Sequence, residues 1–414
     1  MKRILIFIFL FLLIAGGVWY FFIRSKAATD NPIANVFQSF FPLNENDGSF
    51  DGVIQEGDSG NNTADAARFA QVSPRSVAGY SIFSLTTTTT APNPDPKLKP
   101  IITTAIDHYI RYVSRQNGYV YEIKNSESPV QITNILIPNI YEASFASNNT
   151  VALLRFLKPD NQTIATYSVP IPPLNLDGKR TQKSGVYFPD NIDSLVISPD
   201  NKQVARLTTE VSAGVISTST PSNTLKKDLL RTPFKEWLLL WPTQASVYVQ
   251  TKAASTVNGY LYRVDTAAGR LRRVIGDVPG LTTSISPSGE YILYSQSVQN
   301  GFITKLFNTK TGITTAISLS ILPEKCAWYS NSDILCAGNS TVPEAVYPDA
   351  WYAGITRLQD QLYRIDTKTN TYSVLYDGTT QLFDMTNLQL DEGKNLLYFI
   401  DKPTGLLWKF NLNS

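Results

Sequence analysis

The feature that most constrains the fold of this chain is a strand-and-turn unit that recurs along most of the sequence. Copies of its central segment read GYVYEI at Gly118–Ile123, GYLYRVD at Gly259–Asp265, GFITKLF at Gly301–Phe307 and QLYRID at Gln361–Asp366. Each copy is followed by a polar turn and by further segments in which apolar and polar residues alternate. Such alternation is typical of β-strands with one buried face. We therefore predict an all-β repeat protein.

Short polar turns separate the strands within each unit. Ser198–Asn201 reads SPDN, Ser286–Gly289 reads SPSG and Leu390–Gly393 reads LDEG. Proline in the second turn position presets φ to about −65°, and glycine or asparagine later in the turn tolerates a positive φ. These tetrads predict antiparallel hairpins.

Four strands per unit and a spacing of roughly 40–50 residues are typical of a β-propeller, whose blades bury their faces against their neighbours. We predict a seven-bladed β-propeller over residues 66–414. The innermost strands are expected to begin near Val77, Asn139, Asn191, Lys235, Gly280, Glu324 and Asp384. The third blade is the least regular, because Thr218–Lys227 is mostly polar.

The last predicted blade shows only three strand-like segments, NLQL, NLLYFID and LLWKFNL. Without a fourth strand the ring would stay open and leave an unpaired sheet edge. Arg68–Ser73 (RFAQVS) lies just before the first inner strand, where an outer strand should precede an inner one. This segment is therefore predicted to complete the last blade and close the ring.

These motifs support a family resemblance. The SPDG-like turns, the YILYS strand at Tyr291–Ser295 and the LYRID hairpin resemble TolB-like and WD-repeat-like propellers. The chain as a whole resembles uncharacterised bacterial propeller proteins that carry a single membrane anchor. The resemblance implies a fold and no activity, because the WD dipeptide, the blade histidine and the sialidase Asp boxes are absent.

An apolar run, Ile4–Ile23, follows Lys2 and Arg3 without a charged residue. As a helix its 20 residues would span about 30 Å, the thickness of a bilayer core. The run is longer than the core of a cleaved signal peptide, and Ser25–Ala27 makes a weak cleavage site. We therefore predict that residues 1–26 are a transmembrane signal anchor rather than a cleaved signal.

Residues 27–65 are acidic, rich in Gly and Asn, and without sustained periodicity, which predicts a flexible spacer. Within it, Ile33–Phe41 is either a short helix at the membrane surface or an ordinary apolar patch. The sequence beyond is poor in charge and rich in Thr, Ser and Asn, as exported domains often are. We expect a single pass through the cytoplasmic membrane, with the N-terminus inside and the propeller on the extracytoplasmic side.

Composition argues against several classes of function. The 414-residue chain has 36 Lys and Arg against 34 Asp and Glu, and its basic residues are scattered, so no nucleic-acid partner is expected. The single histidine, His108, excludes a multi-histidine metal centre. No G-x-S-x-G elbow and no glycine-rich phosphate loop occurs. We predict no catalytic residue, no metal site and no cofactor.

Several carboxylates lie at predicted turns, and Asp is a common turn-closing residue. Calcium binding is the alternative role, but no D-x-D-x-D-G spacing supports it. These residues are Asp265, Asp366, Asp377, Asp391, Glu392 and Asp401.

Two insertions interrupt the repeat. Residues 85–100 combine a Thr run with a Pro-rich segment that we expect to be extended. Residues 339–360 contain Tyr347, Trp351 and Tyr352, which we predict to anchor a partner, because Trp and Tyr dominate binding hot spots. The alternative is that these rings cap the propeller mouth or pack on their own blade.

Both cysteines, Cys326 and Cys336, lie five positions from Asn331 in the segment EKCAWYSNSDILC. A hairpin centred on Asn331 would place them opposite each other, about 4.5–5.5 Å apart at Cα, within reach of a disulfide. We predict a disulfide, with two buried thiols as the alternative and metal or redox chemistry as a remote one.

The function expected is a protein- or glycan-binding module of the cell envelope. The alternatives are an envelope hydrolase or lyase and a structural subunit of a surface or secretion assembly.

Overall fold

The computed structural model describes residues 67–91, 99–174, 179–391 and 393–413. The predicted signal anchor (residues 1–26, with its membrane-crossing run 4–23) and the predicted spacer (residues 27–65) lie outside these residues. Among the residues described, no helix combines the length and the apolar character needed to cross a bilayer.

The described strands form seven antiparallel sheets of four strands, so the predicted seven-bladed propeller is confirmed. The first strand, β1 (Phe69–Gln71), belongs to blade 7. Blade 1 contains β2 (Val77–Ala91), β3 (Ile101–Ser114), β4 (Val120–Lys124) and β5 (Val130–Gln131). Blade 2 contains β6 (Ile140–Ala146), β7 (Val151–Leu157), β8 (Ile164–Pro170) and β9 (Val186–Tyr187). Blade 3 contains β10 (Ile192–Ile197), β11 (Val204–Thr209), β12 (Gly214–Ser219) and β13 (Lys227–Thr232).

The remaining blades continue the same order. Blade 4 contains β14 (Trp237–Thr243), β15 (Ser246–Thr251), β16 (Asn258–Asp265) and β17 (Leu271–Pro279). Blade 5 contains β18 (Thr282–Ile285), β19 (Tyr291–Val298), β20 (Gly301–Asn308) and β21 (Thr314–Ile317). Blade 6 contains β22 (Cys326–Trp328), β23 (Asp333–Gly338), β24 (Gln361–Asp366) and β25 (Thr371–Tyr376). Blade 7 contains β26 (Met385–Leu390), β27 (Leu396–Asp401), β28 (Leu407–Asn411) and β1.

Two short helical segments accompany blade 6. A 3-10 turn (Pro323–Lys325) precedes β22, and helix α1 (Asp349–Tyr352) lies between β23 and β24. Every innermost strand begins within two residues of its predicted start. Thr218–Lys227, the polar stretch of the third blade, ends β12, turns, and begins β13, which explains its weak strand pattern.

The predicted turn chemistry is present at the hairpins. Asn201 has a φ of 58° and its amide donates to the carbonyl of Ser198 at 2.9 Å. Gly289 has a φ of 72° and its amide donates to the carbonyl of Ser286 at 2.8 Å. Because asparagine and glycine tolerate a positive φ, these residues allow each inner strand to reverse into the next.

Ring closure by the N-terminal strand is confirmed. Strand β1 pairs with β28, with Phe69 opposite Phe410. The ring of Phe69 lies 4.8 Å from that of Tyr376 and 5.0 Å from that of Phe383, and Arg68 Nε donates to the carbonyl of Asn411 at 3.0 Å. The two ends of the propeller sequence are therefore held by a backbone ladder and by an aromatic cluster.

The core consists of apolar clusters between neighbouring blades. One cluster joins blades 3 and 4 and includes Leu207 and Trp237, and another joins blades 6 and 7 and includes Leu362 and Phe399. Trp241 is buried in the first cluster. Both tryptophans of β14 therefore pack between blades.

The first insertion forms a two-stranded arm. Strands β2 and β3 remain paired beyond the blade, from Leu85 opposite Asp107 to Ala91 opposite Ile101. We call the described residues 85–91 and 99–106 the arm. The Thr run forms one side of a regular ladder, as suits a β-branched residue. Most of the Pro-rich segment, residues 92–98, lies outside the described residues, so its extended conformation stays a prediction.

Candidate functional site

A cavity of about 560 Å³ lies among the inner strands of blades 1, 2 and 7 and the first turn of blade 3. Its lining includes Ala78, Gly79, Tyr80, Ser81, Glu142, Ala143, Ser144, Phe145, Ile197, Asn201, Asn387, Leu388 and Gln389. The cavity therefore belongs to the channel that the inner strands surround.

Gly79 sets the width of the channel between blades 1 and 2. A Cβ atom at this position would lie 1.9 Å from the carbonyl oxygen of Ala143. Only glycine permits that approach without moving a backbone. It brings β2 directly against β6, and the hydroxyl-bearing neighbours Ser81 and Ser144 line the same cavity.

Neutral polar groups dominate the lining. The Tyr80 hydroxyl donates to the carbonyl of Asn387 at 2.5 Å, and Gln389 Nε2 donates to the carbonyl of Tyr80 at 3.3 Å. The side chains of Ser144, Asn201 and Asn387 make no hydrogen bond to another described group of the protein. These three side chains remain available to a ligand in the channel.

Of the lining residues that the structure describes, one is charged, Glu142, and it is paired with Arg155, which does not line the cavity. Glu142 Oε2 lies 2.5 Å from Arg155 Nη1. Burial raises the pKa of the Tyr80 hydroxyl well above its usual value, so Tyr80 stays neutral. Among the described lining residues, Glu142 is the one carboxylic acid. The cavity is therefore suited to hydrogen bonding with a neutral molecule rather than to holding an ion.

The second insertion folds back onto the ring. We call residues 339–360 the cap. The backbone amide of Ser255 donates to Asp349 Oδ2 at 2.8 Å, which joins the cap to blade 4. The Ser297 hydroxyl donates to the carbonyl of Tyr347, and the rings of Phe302 and Tyr347 lie 4.9 Å apart, which joins it to blade 5.

Each predicted binding residue of the cap points toward the ring. Tyr347 is 0% exposed and Trp351 is 4% exposed, while Tyr352 is partly buried. The structure thus brings all three together in one apolar cluster, beneath the surface of the cap. Their predicted role as anchors for a partner stays a prediction; in this conformation the exposed apolar side chains of the cap are those of Val346 and Ile355.

A buried ionic cluster lies under the cap. Lys325, in the 3-10 turn, places its Nζ 2.8 Å from Asp360 Oδ2 and 2.5 Å from Asp384 Oδ1. The indole Nε1 of Trp351 donates to both carboxylate oxygens of Asp384 at 3.1 Å. The side chains of Lys325 and Asp360 are fully buried. Blade 6, blade 7 and the cap are therefore joined through charged groups that solvent does not reach.

The electrostatic shifts follow from this burial. Burial raises the pKa of Asp360 from 3.8 to about 7, and the nearby Asp384 adds to the rise while Lys325 opposes it. Burial by itself would lower the pKa of Lys325, but the two carboxylates raise it instead. Burial lowers the pKa of Lys402 to about 8.

A second buried pair lies beside the first. The Tyr352 hydroxyl donates to Glu324 Oε1, and burial raises the pKa of both groups. The ammonium of Lys402 donates to the carbonyl of Trp351 and lies 4.1 Å from the centre of its indole ring. The carboxyl of Glu324 is buried, whereas Lys402 is only partly buried, and these contacts attach the cap to the ring.

This ionic cluster was missed in the sequence. Charged residues are ordinarily exposed, and Lys325, Asp360 and Asp384 are far apart along the chain. A weak signal was present, because Lys325 and Asp384 each directly precede the inner strand of a blade and Asp360 ends the insertion.

The cysteines form the first pair of the β22–β23 ladder. Cys326 lies opposite Cys336, with Cα atoms 4.1 Å apart, and a disulfide joins them. The bond immediately follows Lys325 and so fixes the strand that carries this residue. No group of metal-ligating side chains occurs within the described part of the chain.

Comparisons with known proteins concern the fold alone. No protein-family model and no curated protein matches the sequence. A solved oligogalacturonate lyase in complex with manganese is similar over 80% of this chain and 98% of its own, with a TM-score of 0.50 and 10% identity. The β-propeller domain of the Trilobed protease from Pyrococcus furiosus is similar over 75% of this chain and 94% of its own, with a TM-score of 0.48 and 9% identity. TolB from Acinetobacter baumannii is similar over 71% of this chain and 80% of its own, with a TM-score of 0.38 and 11% identity. The propeller fold implied by the resemblance to TolB-like and WD-repeat-like propellers is the fold that the described strands form.

Proposed function

We propose that this chain is a binding module of the cell envelope, a membrane-anchored propeller that holds a glycan or an uncharged protein segment in its channel. The observation that carries the proposal is the cavity of about 560 Å³ with unpaired hydroxyl and amide groups in its lining. A ligand without formal charge enters such a site without the desolvation cost of an ion. Sugar hydroxyls and peptide backbone groups offer the complementary donors and acceptors.

The proposed compartment is the extracytoplasmic side of the membrane. The disulfide between Cys326 and Cys336 supports it, because such bonds persist mainly in oxidising surroundings. The predicted anchor, residues 4–23, would tether the propeller there. External protease applied to intact cells should remove a tag placed after Ser414; a tag that stays protected until the cells are lysed would contradict this location.

An enzyme, hydrolase or lyase, is the alternative use of the same channel. It would need an acid or base free to act, and Glu142 is paired with Arg155. This pairing favours binding over catalysis. The other alternative, a structural subunit, would use blade edges and leave the channel empty.

Binding can be tested by titration calorimetry with neutral oligosaccharides, an uncharged peptide and an acidic oligosaccharide. Asn201 and Asn387 have φ values of 58° and 52°, which glycine tolerates. The double variant Asn201→Gly/Asn387→Gly should therefore fold and lose two hydrogen bonds to the ligand, which weakens binding about tenfold or more. Neutral ligands should bind the unmodified protein, and the acidic one should not.

The matched control is Asn161→Gly/Asn300→Gly. These asparagines have φ values of 55° and 57° and do not line the cavity. The control should bind as tightly as the unmodified protein. Unchanged affinity in the Asn201→Gly/Asn387→Gly variant would place the ligand outside the channel, and no binding of any neutral probe would count against the proposed function.

A further inference from the structure

Asp360, the last residue of the cap, has one carboxylate oxygen in use and one without a partner. Oδ2 accepts from the backbone amide of Met385 at 2.6 Å and from Lys325 Nζ at 2.8 Å. Oδ1 is buried and has no hydrogen-bond partner among the described residues. An ionised carboxylate in this position would leave a buried, negatively charged oxygen uncompensated.

Asp384 is much better satisfied. In addition to Lys325 and the indole of Trp351, its Oδ2 accepts from the backbone amide of Leu358 at 3.2 Å. One ammonium therefore faces two buried carboxyl groups, and Asp384 receives more hydrogen bonds than Asp360 does. A proton on Asp360 would leave the trio neutral, whereas its loss gives the trio a net negative charge.

The remaining charged groups around the cluster have partners of their own. Asp401 Oδ1 accepts from the backbone amide of Asp384 at 3.1 Å, and Lys402 contacts Trp351. Glu324 Oε1 accepts from Tyr352, but its Oε2 is buried and has no hydrogen-bond partner among the described residues. Burial raises the pKa of this carboxyl too, so Glu324 acts in the same direction as Asp360. Asp349 accepts from the amide of Ser255. The further groups are Tyr347, whose hydroxyl donates to the carbonyl of Pro343, and Arg357, whose guanidinium donates to the carbonyl of Leu382. None of these hydrogen bonds reaches Asp360 Oδ1.

We propose that the cap is a proton-linked latch, which seats on the ring with Asp360 protonated and loosens when Asp360 ionises. The latch needs no hinge outside the insertion, because the cap joins blade 6 only through the ends of β23 and β24. In the loosened state the rings of Tyr347 and Trp351 lose their cover, and this is the conformation in which they could meet a partner.

The direction of the pH effect follows from the difference between the seated and free carboxyl groups. The pKa of Asp360 is about 7 when it is buried, against an ordinary value of 3.8. Its contribution to seating is therefore complete below about pH 4 and is lost as the pH rises through 7. Lys402, with a pKa lowered to about 8 by burial, acts in the opposite sense, because loss of its proton above that pH favours the seated state.

Hydrogen exchange of the cap, between pH 5 and pH 7, tests the latch. The amides of Ala350, Tyr352 and Ala353 donate to carbonyls within the cap at 2.8–2.9 Å and report its opening. After correction for intrinsic exchange, their protection should fall about 50-fold over this interval, as expected for release of one proton with the two pKa values above. Amides of β19 serve as the internal reference and should change little.

Two variants decide whether Asp360 is the group responsible. Asp360→Asn keeps the shape of the protonated acid without its titration, so cap protection should depend on pH much less than in the unmodified protein, with Glu324 as the remaining carboxyl whose pKa is raised. Asp349→Asn alters another carboxylate of the same cap and should leave the pH dependence intact. Cap protection that is independent of pH in the unmodified protein, or an unchanged dependence in Asp360→Asn, would overturn the proposal. If Asp360→Asn does not fold, the test rests on the unmodified protein. There the pH dependence of protection at the cap amides is compared with that at the β19 amides.

Discussion

The arm and the cap are insertions into the same ring, and they differ in how they relate to it. Ile102 and Ile106 of the arm are 67% and 58% exposed, whereas Tyr347 and Trp351 of the cap are almost wholly buried. The arm satisfies its backbone groups by pairing its own two strands, so it needs no other surface. The cap has only one short helix and places its aromatic rings and charged groups against blades 4, 5, 6 and 7.

The comparison shows that an insertion becomes part of the fold when the ring supplies partners for its side chains. The charged contacts make the same point. Lys124 and Asp107 form an ion pair at the base of the arm that solvent reaches, while Lys325 lies fully buried beneath the cap. Exposed pairs contribute little to stability, but removal of one member of a buried group leaves uncompensated charge.

The largest effect is expected for Lys325→Met. The substitution leaves Asp360 and Asp384 buried without their cation, which should lower the free energy of unfolding by about 3–5 kcal/mol. Lys124→Met, the matched change at the base of the arm, should cost far less, because solvent screens this exposed pair. Urea unfolding measures both; equal losses would show that the two ion pairs do not differ as described.

Trp351→Ala should follow, with a loss of about 3 kcal/mol, because a buried indole and its hydrogen bonds to Asp384 disappear. The control in the arm is Ile102→Ala. The Ile102 side chain is exposed, so the substitution should change the free energy of unfolding by no more than about 0.5 kcal/mol. Melting temperatures by circular dichroism rank the pair. A Trp351→Ala protein as stable as the control would mean that the cap does not pack on the ring.

The double variant Cys326→Ser/Cys336→Ser removes the bond next to the base of the cap. The short loop it closes corresponds to about 2–3 kcal/mol by the chain-entropy model. The unmodified protein in reducing buffer should show the same loss. Mass measurement after alkylation without reductant checks that the unmodified protein contains the disulfide. Two alkyl additions would mean that no bond had formed.

The smallest effect is expected when the arm is shortened. Replacing residues 88–104 with Asn-Gly joins the paired residues Thr87 and Ala105 through a two-residue turn and removes the ladder beyond them. The free energy of unfolding should change by about 0.5 kcal/mol or less, and ligand binding in the channel should not change. A large loss of stability would mean that the arm contacts the ring in solution.

The sequence was most informative where a pattern repeats. Seven inner strands and the closing strand at Phe69 followed from alternation and turn tetrads, because each blade obeys the same local rules. The facing positions of Cys326 and Cys336 followed from the symmetry of one hairpin. The ionic cluster followed from neither, since Lys325 and Asp360 meet only after blades 6 and 7 and the cap have assembled.

Ring closure also has a consequence in time. Arg68 and Asn411, which are hydrogen-bonded across the last blade, are 343 residues apart in the chain. At a synthesis rate of about 5–20 residues per second, the strand at Phe69 waits on the order of 15–70 s before its partner has been made. During that interval the ring of blades stays open, because blade 7 is incomplete. A chain whose synthesis stops before β28 cannot pair β1 and cannot close the ring. Only chains synthesised through β28 can cover the strand edges that an open ring leaves unpaired.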